Sequence, residues 1–420
     1  MKTTEQIKEH IESVLSFLSN WHNLEDFISQ FHFSWLKLGQ KIQQTLVQQK
    51  IEETEANYKE TTRSKREKRY YTPLGEIKVK RRVYVTQKGL EVKVDKELGL
   101  PTKKWLAQVL ELGCALGINS EFPNAHQLFT KWTLIKLTEK SLASTVEKVG
   151  INLQESEFNS QIKKSQKIEL SSERIYVGVD GVMTPLNQKQ GYKEAKVGVI
   201  FWEKEHQRKK GGRKEIRQRE YIATLKSRLS FRERVQSLYQ QIIKQKVPKT
   251  IVIGDGAHWI WDMAAKQFPN SIEILDFYHL SEYVWQVAKL GFSHQEEKQK
   301  NWVSQQLNLL KQSEWSKVIT NSYQLVKKGK NLREAIEKLE RYLNNNSTRI
   351  DYKSYLKQGL MIGSGVVESS NRRVVTQRLK QAGMHWSKKG AEGIMALRAA
   401  YLSSSKRWSN FWLASSCVVS

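Results

Sequence analysis

"TIVIGDGAHWIWDM", residues 250–263, decides how this chain is read. The run Ile251, Val252, Ile253 is short, β-branched and apolar, the pattern of a strand buried on both faces. It stops at Gly254, and an acid, Asp255, follows between two glycines with no cation beside it. A second stretch repeats the arrangement: "RIYVGVDGVMTPL", residues 174–186, sets Asp180 in another apolar strand. Two acids on two buried strands require something to hold.

The same signals continue outward. "RIYVGVDGV", "AKVGVIFWE" and "REYIATL" follow one another through short connections, as hairpins do. "FRERVQSLYQQIIKQ" reads as a helix before "KTIVIGDG", and "WIWDMAAKQF" as another before "SIEILDFYHL". Three antiparallel strands followed by α-β-α-β predict an α/β fold, a mixed sheet with helices on its faces. Residues 281–355 are polar and helical in pattern. "GSGVVESSNRRVVTQRLKQAG", residues 363–383, follows a glycine-flanked break and reads as one amphipathic helix. At about 100° per residue, Val375, Leu379 and Ala382 share a face with Glu368, which directs a third acid towards the sheet. The alternative is that Glu368 complements the positive helix end. Ser364 stands one position too early for a capping box.

Towards the N-terminus, helical periodicity ends in "EETEANYKETTRSKREKR", read as an exposed helix or linker. "RYYTPLGEIKVKRRVYV", residues 69–85, then alternates around a turn, as a hairpin does. Helices return from Lys103, and the last two, "NAHQLFTKWT" and "TEKSLASTVEKVG", read either as a helix-turn-helix or as plain packing. The expected organisation is a helical segment (1–68), a hairpin plus helical region (69–165), an α/β core in two parts (166–280 and 356–412) around a helical insertion (281–355), and a tail (413–420).

Charge narrows the partners. Seventy Lys and Arg against 43 Asp and Glu leave +27, which implies a polyanion. A membrane surface would favour one basic amphipathic segment. Here the basic runs are scattered: "RSKREKR", "KVKRR", "RKKGGRKEIRQR" and "RRVVTQRLK". That distribution favours nucleic acid. No apolar run approaches the ~20 residues that span a bilayer, and the start lacks an export pattern, so a cytoplasmic location is expected. Cys114 and Cys417 alone make neither a disulfide framework nor a thiolate zinc site. Three acids from two strands and one helix suit hard cations such as Mg²⁺ or Mn²⁺, which prefer carboxylate oxygens. Two such ions can drive phosphodiester chemistry.

These residues also carry a resemblance. "VDG", "GDGAHWIW", "DFYHLSEYV" and above all "GSGVVESSNRRVVTQRLKQAGMHWS", with "LRAAYLSS" and "FW" after it, resemble bacterial insertion-sequence transposases of the ISKra type. Those enzymes have a DDE triad on a ribonuclease-H-like fold, and the resemblance spans roughly Tyr70 to Trp412. It implies that Asp180, Asp255 and Glu368 are the catalytic, metal-binding acids, holding two Mg²⁺ (or Mn²⁺) ions. It implies a helical insertion between the last strand and the Glu368 helix. "DFYH" looks like the family's acid-x-x-His motif, which makes Asp276 and His279 accessory residues. His279 then contacts the scissile region or the carboxylates, unless it is a hydrogen-bonded core histidine. Many relatives carry a cysteine pair after the upstream hairpin; here there is none, so no zinc-dependent DNA reading is implied.

Trp259, Trp261 and Trp386 flank the acids, either to stack on a splayed base or to pack. Lys209, Lys210 and Arg213, around Gly211 and Gly212, are placed to grip phosphates without reading sequence. Arg372, Arg373, Arg378 and Lys380 are the other expected DNA contacts. The implied function is a DNA transposase that cleaves transposon ends and joins them to target DNA, as a homo-oligomer on nucleoid DNA. The alternatives are a nuclease that cuts without joining, or a non-catalytic DNA-binding relative.

Overall fold

The computed structural model describes residues 2–19, 22–87, 89–159, 174–187, 191–203, 206–208, 214–216, 218–243, 249–325, 329–363 and 365–414. The chain divides into two compact units, Met1–Leu153 with Arg407–Ser420, and Gln154–Lys406. No helix among the described residues is long and apolar enough to cross a membrane.

The first unit begins with helices α1 (Lys2–Leu18) and α2 (Leu24–Glu55). Strands β1 (Thr62–Thr72), β2 (Gly75–Thr86) and β3 (Gly89–Glu91) follow, then α3 (Lys93–Glu97). Next come α4 (Ala107–Asn119), α5 (Phe122–Thr133) and α6 (Glu139–Asn159), the last crossing into the second unit. The charged run Arg63–Arg69 is therefore strand, neither helix nor linker. It pairs antiparallel with β2, with Arg66 opposite Arg81 and Tyr70 opposite Ile77. One face of this sheet buries Tyr70, Ile77 and Val79 against Ile51 of α2 and Val94 of α3. The other stays in water, which is why so many charges are tolerated. Gly113 of α4 approaches Phe129 of α5 and Leu142 of α6, so those two helices pack with α4.

A glutamine row closes the open edge of β2. Gln40 donates to the Glu76 carbonyl at 2.5 Å, Gln44 accepts the Lys78 N–H at 3.0 Å, and Gln48 accepts the Lys80 N–H at 2.8 Å. Gln48 also donates back to the Lys80 carbonyl at 3.1 Å. Four helical residues rise about 6 Å and two strand residues about 6.7 Å, so the two repeats stay in step over this length. An uncovered edge would invite pairing with another chain. Gln48→Ala strips both partners from Lys80 and is expected to lower stability by about 1 kcal/mol in urea unfolding. Gln49→Ala, whose side chain bonds Glu53 on its own helix at 2.7 Å, is expected to change it by a few tenths at most.

The second unit is built on one mixed sheet. Its strands are β4 (Arg174–Pro185), β5 (Tyr192–Trp202), β8 (Arg219–Thr224), β9 (Lys249–Gly254) and β10 (Ile272–Leu275). A small hairpin, β6 (His206–Arg208) with β7 (Lys214–Ile216), sits between β5 and β8. The spatial order is β10-β9-β4-β5-β8, with β4, β5 and β8 antiparallel and β9 and β10 parallel to β4. Helix α7 (Arg228–Ile242) crosses from β8 to β9, and α8 (His258–Gln267) from β9 to β10. All five strands and both crossover helices lie where the sequence predicted them.

Glycines show which helices cover which face. A Cβ on Gly198 of β5 would meet Phe231 and Val235 of α7, and one on Gly254 would meet Ile260 and Trp261 of α8. A Cβ on Gly178 of β4 would collide with the Val367 side chain. Gly178 pairs with Val199 and Val179 with Gly198, so Gly178 and Gly198 point to opposite faces. The crossover helices thus take one face and the Val367 helix the other.

Beyond β10 the insertion is helical: α9 (Phe277–Gly291), α10 (Glu296–Lys311), α11 (Trp315–Tyr323), α12 (Lys330–Asn345) and α13 (Tyr352–Lys357). As the chain returns it seals the outer edge of β10. Tyr352 donates to the Leu275 carbonyl at 2.9 Å and Tyr355 to the Glu273 carbonyl at 3.3 Å. The helix expected over residues 363–383 is one helical run over 365–379 that carries a π-turn. It consists of α14 (Gly365–Asn371), a π-turn (Arg372–Thr376) and α15 (Gln377–Leu379). Helix α16 (Lys388–Leu402) completes the unit, and the first unit regains the chain at α17 (Arg407–Ala414).

Candidate active site

The two parallel ladders end at one level. Val179 of β4 pairs with Gly254 of β9, and Gly254 pairs with Leu275 of β10. The next residue on each strand is an aspartate: Asp180, Asp255 and Asp276. Because side chains alternate along a strand, Asp180 shares the face of Gly178, the one covered by α14. Gly254 faces α8, so Asp255 also turns towards the α14 side. Neighbouring strands stand about 4.8 Å apart, which brings two carboxylates side by side.

The electrostatics register that approach. Burial first, and the Asp255 charge second, push the Asp180 carboxyl up from 3.8 to about 6. Hydrogen bonds from Gly181 and Asn371, and the nearby His279, oppose the rise. Asp180 Oδ1 accepts the Gly181 N–H at 2.6 Å, and Oδ2 accepts Asn371 Nδ2. Asp255 Oδ1 accepts the Ala257 N–H at 3.0 Å, and its carbonyl accepts the Tyr342 hydroxyl at 2.6 Å. The turn after it requires glycine: Gly256 has φ +90°, and a Cβ there would lie 2.8 Å from the Tyr342 ring. The inserted helix α12 thereby fixes the backbone of a sheet acid.

Asp276 is almost fully buried. Its N–H continues the ladder to the Gly254 carbonyl at 2.8 Å, and its carboxylate caps α9 through the Tyr278 N–H at 2.9 Å. His279 is half-buried, with Nδ1 at 3.5 Å from the Glu282 carboxylate and its ring edge-on to Tyr283 and Tyr342. Tyr283 and Tyr342 stack at 4.3 Å, and burial raises both phenols.

Glu368, expected on the face towards the sheet, is turned to solvent instead. Val367, Ser370 and Asn371 are the buried residues of α14, and Glu368 is exposed on the adjacent flank. Asn371 is the residue of this helix that bonds Asp180. Among the described residues no three His, Cys, Asp or Glu side chains converge to hold a metal. What fits a divalent ion here is the aspartate pair, two hard-oxygen donors whose repulsion a cation would relieve.

A family model described as Uncharacterised protein family (UPF0236) matches residues 17–413. The chain belongs to that family. No protein of curated function matches it. Among solved structures, the Drosophila P element transposase strand transfer complex is similar over 77% of this chain and 84% of that chain, at 9% identity and a TM-score of 0.26. That superposition is too loose to carry fold or function across.

In this UPF0236 member the remaining expected residues separate by burial. Arg378 is only 1% exposed; its guanidinium lies 4.8 Å from the Trp386 ring centroid and it donates to Met384 Sδ at 3.6 Å. Trp386 is buried too, bridging to Leu186. Neither is a surface group for DNA, because the π-turn rotates Arg378 inward. Trp259 and Trp261 are likewise buried, one edge-on to Phe231 and the other under Arg349, so these indoles pack rather than offer a stacking surface. Ala382, expected on the core face, is exposed. Arg372 and Lys380 are exposed, and Arg373 is half-buried with its carbonyl taken by Arg398 Nε at 2.9 Å. Lys209, Lys210 and Arg213 lie outside the described residues. The sequence reading missed Asn371 and Tyr342; only the i+3 spacing of Asn371 from Glu368 hinted at the first, and nothing local marks the second.

Proposed function

We propose that this protein is a DNA transposase of the ISKra type that cleaves element ends and joins them to target DNA. The observation that carries the reading is the pairing of Asp180 and Asp255 at one level of adjacent parallel strands. The strand order, with its three antiparallel and two parallel members, supports a ribonuclease-H-like core.

Asp180 and Asp255 would hold Mg²⁺ or Mn²⁺, with Glu368 as the third acid of the triad. Two such ions, when bound, activate the attacking oxygen and stabilise the leaving oxygen of a phosphodiester. The chain's own part is positional. Gly181 and Asn371 fix the Asp180 carboxylate, Ala257 fixes that of Asp255, and Tyr342 anchors the Asp255 backbone. Asp276 closes the start of α9, which keeps His279 beside the pair.

DNA is the proposed polyanion, and its second contact is the outward face of β1 and β2. Lys65 stands opposite Arg82 there, and Arg69 opposite Lys78. Like charges directly across a ladder cost stability, so a face built this way favours a polyanionic partner. Synapsis of two ends would require a homo-oligomer, working on the nucleoid in the cytoplasm.

The test supplies labelled duplexes carrying the sequences that flank the reading frame, with supercoiled plasmid and Mg²⁺. Covalent insertion products are expected. Cleaved ends without insertion would instead identify a nuclease, and binding without either product a non-catalytic relative.

A further inference from the structure

We infer that Asn371 is the positioning residue of the divalent-ion site, holding the Asp180 carboxylate in its ligating orientation. The inference rests on the proposed metal chemistry at Asp180 and Asp255. It assigns a role to a residue that the three-acid pattern leaves out.

Three observations converge on it. Asn371 Nδ2 donates to Asp180 Oδ2 while the Gly181 N–H takes Oδ1, so both carboxylate oxygens are anchored and each keeps a lone pair for a cation. Asn371 Oδ1 is buried without a hydrogen-bond partner among the described residues. Its carbonyl end therefore adds nothing to the fold, and what asparagine contributes here is the amide donor to the Asp180 carboxylate. Finally, Asn371 ends α14 at the start of the π-turn, and such turns often mark functional sites. Val367, seated over Gly178 one turn earlier, sets the distance between this helix and β4.

Hydrogen-bonding partners of metal ligands typically contribute ten- to a hundredfold to ion affinity. The experiment measures Mn²⁺ binding to the full-length protein by calorimetry, with thermal midpoints taken in EDTA. Asn371→Ala is expected to weaken Mn²⁺ binding about 10- to 100-fold and to lower the metal-free midpoint modestly, because Asp180 Oδ2 loses its donor. Asn371→Leu, which fills the pocket, is expected to show the same loss and serves if the alanine variant does not fold. Wild-type affinity in a folded Asn371 variant overturns the inference. Asp180→Asn separates it from the reading beneath: if that variant loses binding and the Asn371 variants do not, only the positioning role fails. If Asp180→Asn binds like wild type, or wild type does not bind, the metal site itself fails.

Discussion

Asp180→Asn is expected to make the metal-free protein more stable and to abolish its chemistry. A carboxyl raised to about 6 in the fold binds its proton more tightly than the same group at its ordinary 3.8 in the unfolded chain. Its stabilising contribution is therefore complete below about pH 4 and is lost as pH rises through about 6. Above that, the folded protein keeps a carboxylate that is short of water and faces Asp255. Asparagine removes this penalty. The gain at pH 7.5 in EDTA should be about 2 kcal/mol, less than the full shift converts to, because the group keeps part of its hydration. Thermal unfolding across pH 4 to 8 checks it: the two curves should meet at the acid end and separate above pH 6. Mg²⁺ should stabilise wild type and not the variant, since only the native site gains by binding.

The same substitution should lower strand cleavage by at least ~10³-fold, about 4 kcal/mol of barrier. Asp255→Asn should do likewise. Glu368→Gln decides whether the exposed helix acid belongs with them; an equal loss keeps it as the third ligand, and near wild-type cleavage removes it. A residue that is harmful to the fold and necessary to the reaction is what an active site requires. An Asp180→Asn variant that is less stable at pH 7.5 and still cleaves would dispose of the assignment.

The sheet and the site differ in how far the sequence discloses them. Strands such as Ile251–Ile253 are legible because burial on both faces leaves an uninterrupted β-branched run, and short links between β4 and β5 dictate antiparallel pairing. The level of Asp180 and Asp255 follows, since each acid ends its apolar run. The facing of Glu368 departs from the expected one for a geometric reason. Val375 and Leu379 do face the core, but a π-turn separates them from Glu368. Projecting their face backwards at 3.6 residues per turn runs through a segment that carries an extra residue, an error of about 100°. Val367, one position earlier, is the residue that meets the sheet. The same rotation buries Arg378, which looked like a surface cation. The glutamine row of α2 is hidden for another reason: Gln40, Gln44 and Gln48 read as an ordinary solvated face until a strand is laid beside them.

Affinity for DNA should fall by about 10³ or more between 50 and 200 mM salt, because each neutralised phosphate releases counterions. The net charge of +27 predicts only that a polyanion is attracted; the fold says which cations are free to meet it. Among the described residues Lys65, Lys78 and Lys80 are exposed and form no ion pair, whereas Arg82 lies 3.5 Å from Glu55 and Arg81 pairs with Asp95. Lys65, Lys78 and Lys80 share the outward face of the β1–β2 hairpin, where β1 and β2 hold them in one plane. Replacing all three with alanine should leave the thermal midpoint within a degree or two, since no buried contact is lost. It should reduce the slope of log affinity against log salt by about 3, roughly one per phosphate contact removed. Arg378→Ala makes the contrast. Its guanidinium is packed on Trp386 inside the unit, so its removal should lower the midpoint and leave the slope of the folded fraction alone. Fluorescence anisotropy titrations at four or five salt concentrations distinguish the two. A flat profile in wild type, or an unchanged slope in the triple variant, would move the DNA off this hairpin.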